Sequence, residues 1–309
     1  MQRIKPILVI AVALLTSLSF TSFAKESVFD VQAQSVLSEW FSVDPKHLIN
    51  MQQSAIDTDA LGERFSLNFI SDDQQVVNGI LAMPVDYDMS QKSTLKLALL
   101  LHPMGADHTL WFSPDNPINA ENISIKLRKQ GFAVLALDAR RHGERKVGDI
   151  GLKDLIKRAH SPYRRLYDDM IIGSVRDYRL ALAWMKSQWD LSAADIVAVG
   201  YSMGAQMTLL LASYEPSITH IISMVPPYID QARSPVAPRH HVSRINAAKV
   251  LFLAAKQDPY STEKQSLYVF ELISSMQKSI RYFEGGHVLP AAYLETVMHF
   301  IDENMTGEM

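Results

Sequence analysis

The chain has 309 residues, 48% of them hydrophobic and 20% charged, a balance that excludes disordered, collagen-like and coiled-coil proteins. A formal net charge of −3 leaves no basic excess for holding nucleic acid, so none is expected as a partner. The chain has no cysteine, which removes disulfides, thiolate metal sites and a cysteine nucleophile together.

In chain order, residues 1–24 read as a signal peptide. Arg3 and Lys5 precede the apolar stretch Ile7–Phe20, and Ser22-Phe23-Ala24 places small residues before a cut after Ala24. The apolar stretch is short for a membrane span of about 20 residues. The mature chain is therefore expected to keep no stable membrane anchor and to be exported, periplasmic or secreted, from a bacterium. Residues 25–63 are expected to form a helical lead-in, with Val36, Leu37, Trp40 and Phe41 on one face.

The main domain is expected over 64–309. Phe65, Leu67 and Phe69 alternate with polar residues, and Val76–Met83 can pair with them across a Ser71-Asp72-Asp73 turn. Five apolar runs without alternation follow: Leu97–Leu101, Phe132–Leu137, Ile196–Val199, Ile221–Val225 and Val250–Ala255. Such runs suit strands buried on both faces of a parallel sheet. Helical patterns over Asn119–Gln130, Tyr163–Gln188, Ser202–Ser213 and Thr262–Gln277 lie among them. A last strand, Ser279–Phe283, precedes a helix near Leu289–Asn304. The alternation predicts an open α/β sheet with helices on both faces, and ligand chemistry at the carboxyl ends of its strands. The widest gap between strands has room for a small lid over 145–172, with Ile150, Leu152, Leu155, Ile156, Tyr163 and Tyr167 in it.

Gly200-Tyr201-Ser202-Met203-Gly204 stands between a predicted strand and a predicted helix. This is the context in which G-x-S-x-G presents a serine on a sharp, strained turn, its glycines letting strand and helix approach. A serine hydroxyl needs a base, usually a histidine oriented by a carboxylate. His287, in Glu284-Gly285-Gly286-His287 after the last strand, is the predicted base. His299 falls inside the last helix, and His240 and His241 read as a solvated loop pair. Asp258, just past Val250–Ala255, is the predicted acid, with Asp230 as its rival. The oxyanion needs two preorganised donors. Met203, the residue after the serine, supplies one backbone N–H. In His102-Pro103-Met104-Gly105, Pro103 has no N–H, so Met104 is the candidate for the second. His102 is read as a strand-end residue bonded to nearby backbone. The charged run Asp138–Arg145 is read as a network fixing the loops near the site, with contact to a charged substrate as the alternative.

With these residues in this order, the chain from about 64 to 304 resembles the α/β-hydrolase superfamily, and within it the dienelactone-hydrolase-like and acyl-peptidase-like esterases. The resemblance rests on the His102–Gly105 loop, Asp138–Gly143, the Gly200–Gly204 turn, Asp258 and Gly286-His287. It implies a mostly parallel eight-stranded sheet with helices on both faces. It also implies acyl transfer through a serine ester on a small-molecule acyl ester substrate, with no metal or organic cofactor. Pro103 stands where that family often has glycine. The absence of cysteine argues against a dienelactone substrate, and Ser202 argues against aspartate-dependent dehalogenation. The motif leaves ester, thioester and amide bonds open, and a non-catalytic binding protein on the same fold is the remaining alternative. Natural substrate and oligomeric state are open from sequence.

Overall fold

A computed structural model describes residues 31–305, apart from 45, 47–48, 86, 89–93, 149, 160, 232–233 and 247. The signal peptide expected over residues 1–24 lies outside the described residues. The strands are β1 (Ile49–Asp59), β2 (Gly62–Ile70), β3 (Val76–Ala82), β4 (Leu95–Leu101), β5 (Phe132–Leu137), β6 (Leu191–Tyr201), β7 (His220–Met224), β8 (Lys249–Ala255) and β9 (Lys278–Phe283). The helices are α1 (Val31–Phe41), α2 (Ala120–Lys129), α3 (Leu152–Ala159), α4 (Arg165–Gln188), α5 (Met203–Tyr214), α6 (Glu263–Leu272) and α7 (Tyr293–Asn304).

All nine strands join one sheet in the order β1-β2-β3-β5-β4-β6-β7-β8-β9. The pairs from β1 to β3, and β3 with β5, are antiparallel, while β5, β4, β6, β7, β8 and β9 run parallel. Buried side chains alternate across the parallel strands as the pleat requires. Leu97, Leu99 and Leu101 enter a core shared with α4 and α5, whereas Ala98 and Leu100 enter one shared with α2 and α7. The continuous apolar runs are thus explained by helices covering both faces.

Two expectations need correction. The lead-in is helical only as far as Phe41, and residues 49–59 form strand β1, so the sheet has nine strands rather than eight. β1 lies at the edge of the sheet and is mostly exposed, so it lacks the apolar alternation of a half-buried strand. A distant side chain holds it in place. The buried Arg128 on α2 donates to Asp59 at 2.7 Å and 3.0 Å, to the Met83 carbonyl at 2.8 Å and to the Gly62 carbonyl at 3.1 Å. The β1–β2 turn is thereby fastened to a helix far along the chain. The loop carrying His240 and His241 is also not solvated. His241 is fully buried, accepting from the Tyr214 hydroxyl at 2.7 Å and donating to the Pro235 carbonyl at 2.8 Å.

Among the described residues, no helix is long and apolar enough to cross a membrane.

Candidate active site

The turn between β6 and α5 places Ser202 at φ 55° and ψ −118°, a conformation costing an L-residue about 1–3 kcal/mol. The turn closes because its glycines lack side chains. A Cβ on Gly200 would strike the Gly204 backbone, and one on Gly204 would strike the Leu101 carbonyl. The Ser202 N–H donates to the Met224 carbonyl at 2.8 Å, tying the strained residue to the end of β7.

His287 and Asp258 arrive from the neighbouring strand ends. The loop after β9 is joined to the loop after β8 by the Gln257 N–H to the Gly285 carbonyl at 2.9 Å, and Gly285 adopts φ 104° to make the bend. His287 Nε2 then stands 2.6 Å from Ser202 Oγ. Its Nδ1 stands 2.8 Å from Asp258 Oδ2. The Asp258 side chain is 2% exposed, and its second oxygen accepts the Tyr260 N–H at 2.8 Å. Serine, imidazole and carboxylate therefore form one continuous chain. With Nδ1–H directed at the carboxylate, Nε2 is left as the lone-pair nitrogen facing the hydroxyl.

The sequence reading did not single out two tyrosines that hold this histidine. The Tyr201 hydroxyl donates to the His287 carbonyl at 2.9 Å and accepts the Leu289 N–H at 2.8 Å. Tyr260 meets the imidazole edge to face, with centroids 4.7 Å apart. Tyr201 sits inside the five-residue motif and Tyr260 lies two residues beyond Asp258, so adjacency to the predicted residues was the available signal.

The two candidate oxyanion donors lie at the start of α5 and in the loop after β4. Met203 is the first residue of α5, so its N–H has no intrahelical acceptor. The Ala106 N–H donates to the Pro103 carbonyl at 3.2 Å, and Gly105 has φ 88°. That is the pattern of a type II turn with Met104 at its second position. Among the described residues the Met104 N–H has no acceptor. His102 braces this turn and is not a second base. Its Nδ1 donates to the Pro103 carbonyl at 2.8 Å, and its Nε2 accepts the Ala139 N–H at 2.9 Å. Burial lowers its pKa to about 4, so it stays neutral.

A pocket of about 200 Å³ opens at Ser202 and His287. Leu152, Ile156 and Ala159 of α3 line it, together with Tyr167 of α4 and Met104, Pro227 and Tyr260 from strand-end loops. The expected lid region thus contributes α3 to the wall of the pocket. The Tyr167 hydroxyl is engaged, donating to Gln206 Oε1 at 2.5 Å, while Gln206 donates to the Val236 carbonyl at 2.8 Å.

The charged run after β5 acts as a loop network. Asp138 Oδ1 accepts the His108 N–H at 3.0 Å and faces His108 Nδ1 at 2.8 Å, and its Oδ2 accepts the Glu144 N–H at 3.1 Å. Burial alone would raise the Asp138 carboxyl, but these donors outweigh it and hold it below the usual carboxylate range. Arg140 and Arg145 both reach the buried Asp177 on α4, at 3.2 Å and 2.8 Å. Asp107, His108 and Asp138 are close enough to share a metal ion, yet both Asp138 oxygens already accept protein donors. The rejected candidates are accounted for as well. Asp230 accepts from Gln265 at 3.3 Å, and His299 is exposed on α7, 3.0 Å from Glu303.

Comparison with known proteins bears on the family and the fold. A family model described as the alpha/beta hydrolase family matches residues 98–294. No curated protein sequence matches the chain. Among solved structures, a cold-adapted esterase from an Arctic intertidal metagenomic library is 15% identical with a TM-score of 0.62, over 83% of this chain and 100% of that one. Acetyl xylan esterase 1 from a Thermoanaerobacterium species is 15% identical with a TM-score of 0.62, over 89% and 98%. An S-formylglutathione hydrolase from Staphylococcus aureus is 17% identical with a TM-score of 0.53, over 84% and 98%. At these identities the likeness is one of fold.

Proposed function

Because the chain belongs to the alpha/beta hydrolase family, we propose that it is a serine hydrolase that cleaves carboxylic esters through an acyl-enzyme, with Ser202, His287 and Asp258 as its triad. The observation that carries this reading is the unbroken chain from Ser202 Oγ through the imidazole to Asp258, at 2.6 Å and 2.8 Å. Ser202 Oγ attacks the ester carbon while His287 Nε2 takes its proton. Asp258 stabilises the resulting imidazolium and fixes its tautomer. The tetrahedral oxyanion lies between the N–H groups of Met203 and Met104, each worth about a hundredfold or more in rate. His287 then protonates the departing alcohol. The same nitrogen activates a water that attacks the acyl carbon, releasing the acid and restoring Ser202.

The ester reading also draws support from the esterases among the solved structures of similar fold. The protein is further proposed to work outside the cytoplasm, after removal of residues 1–24. Amino-terminal sequencing of the exported protein should begin at Lys25.

The test is labelling with a fluorophosphonate probe, followed by hydrolysis of p-nitrophenyl butyrate. Labelled wild type, unlabelled Ser202→Ala and loss of hydrolysis in that variant are expected. A folded wild type that resists the probe and does not turn over the ester would overturn the assignment.

A further inference from the structure

The walls of the pocket, read together with the sheet order, bear on which esters fit. Ser202 follows β6. Asp258 and His287 follow β8 and β9, on one side of β6 in the sheet, whereas Met104 and α3 follow β4 and β5, on the other. The departing oxygen must face His287 Nε2 to receive its proton. The acyl chain therefore extends the opposite way, towards Leu152, Ile156 and Ala159. Leu152 also rests against Gly105, where even a Cβ would come within 3.1 Å of its side chain. α3 is thus seated directly on the turn that offers the Met104 N–H.

Two properties of this space restrict its occupant. Among the described residues, apart from His287 of the triad, no ionisable side chain but those of Tyr167 and Tyr260 lines it. A charged acyl group would lose its water there with no opposite charge in return. The volume is about 200 Å³, below the range of about 300–1,000 Å³ that takes drug-sized ligands. Its walls at Leu152, Ile156 and Ala159 are apolar.

Resting on the serine-esterase reading above, we infer that the substrates are esters of short, uncharged acyl groups, and that Leu152 and Ile156 restrict the length of the acyl chain. The two side chains stand one helical turn apart on the same face of α3, and both line the pocket. Leu152 is 46% exposed, so trimming it opens the wall without emptying a core.

The test is a series of p-nitrophenyl esters from acetate to laurate, with the monosuccinyl ester as the charged counterpart of butyrate. In the wild type, kcat/KM should peak at butyrate or hexanoate, fall at least about tenfold by laurate, and be about tenfold or more lower for the monosuccinyl ester. Leu152→Ala and Ile156→Ala should each raise the ratio of decanoate to butyrate turnover about tenfold, since one methylene in an apolar pocket is worth about that much. Ala159→Leu should move the optimum to acetate. A flat wild-type profile, or an optimum unmoved in all three variants, overturns the inference. Fluorophosphonate labelling separates the two readings. Labelled protein with no chain-length dependence removes this inference alone, whereas folded protein that resists the probe removes the esterase reading beneath it.

Discussion

The hydroxyl of Tyr201 is bonded to the loop that carries His287, although Tyr201 is itself the residue before Ser202. It donates to the His287 carbonyl at 2.9 Å and accepts from Leu289 at 2.8 Å. Burial pushes its pKa up to about 12, so it remains a donor at any working pH. One side chain thus couples the serine turn to the histidine loop across three strand ends. Tyr201→Phe should keep the ring packing and lose the coupling. Leaving the Leu289 N–H unpaired costs about 1–3 kcal/mol of stability. A small displacement of the base should lower kcat about 10- to 100-fold, with KM within about twofold of wild type. The split is the readout: a rise in KM at constant kcat would place Tyr201 in substrate binding instead.

In the proposed mechanism Asp258, 2.8 Å from His287 Nδ1, orients the base and is not among the described residues lining the pocket. Asp258→Asn keeps an acceptor near Nδ1 but permits the wrong tautomer and leaves the imidazolium without its counter-charge. Ester turnover should fall by about ten-thousandfold, and fluorophosphonate labelling of Ser202 should slow in parallel while the circular dichroism spectrum is unchanged. If the variant keeps a tenth or more of wild-type activity, another carboxylate orients the base.

Much of this arrangement was legible because strand, turn and helix leave local marks. The runs over Leu97–Leu101, Phe132–Leu137 and Val250–Ala255 are buried on both faces, so composition alone marks them. The glycines around Ser202 are forced by backbone approach, so the turn is written in five residues. β1 was illegible because it is an exposed edge strand held by Arg128, whose partners lie 45 to 69 residues away in sequence. His241 reads as solvated because it falls in a Pro- and Arg-rich stretch, while its neighbours in space are Phe41 and Tyr214. The reach of Tyr201 to His287 spans 86 positions. Long-range polar contacts of this kind set the geometry of the site without changing local pattern.

His102 and His241 make stability fall on mild acidification. Burial lowers their pKa values to about 4 and about 3 in the folded protein, against about 6.5 when unfolded. Above pH 6.5 both are neutral in either state and nothing is lost. Below it the unfolded chain takes up protons that the folded chain refuses, so stability drops as pH falls towards 4. Each histidine contributes a slope of about 1.4 kcal/mol per pH unit. Urea denaturation between about pH 7 and pH 4.5 should show the loss, and His241→Gln should flatten it by about one histidine's share. Stability that is level or rising over that interval would contradict the assignment.

Met104 permits a test of the second oxyanion donor with little disturbance to the backbone. It occupies the second position of a type II turn, with Gly105 at φ 88° behind it, and proline is favoured at that position. Met104→Pro should therefore preserve the turn, its Ala106 to Pro103 bond and the brace from His102, while removing one N–H. The side chain also changes, so Met104→Leu is the control that keeps the N–H and an apolar wall. The proline variant should lose about 10²- to 10³-fold in kcat, whereas the leucine variant should stay within about tenfold of wild type. The proline variant should also bind a trifluoromethyl ketone, which forms the same oxyanion on Ser202, more weakly by a similar factor. Equal activity in the two variants would mean that the oxyanion is held by Met203 and a donor other than Met104.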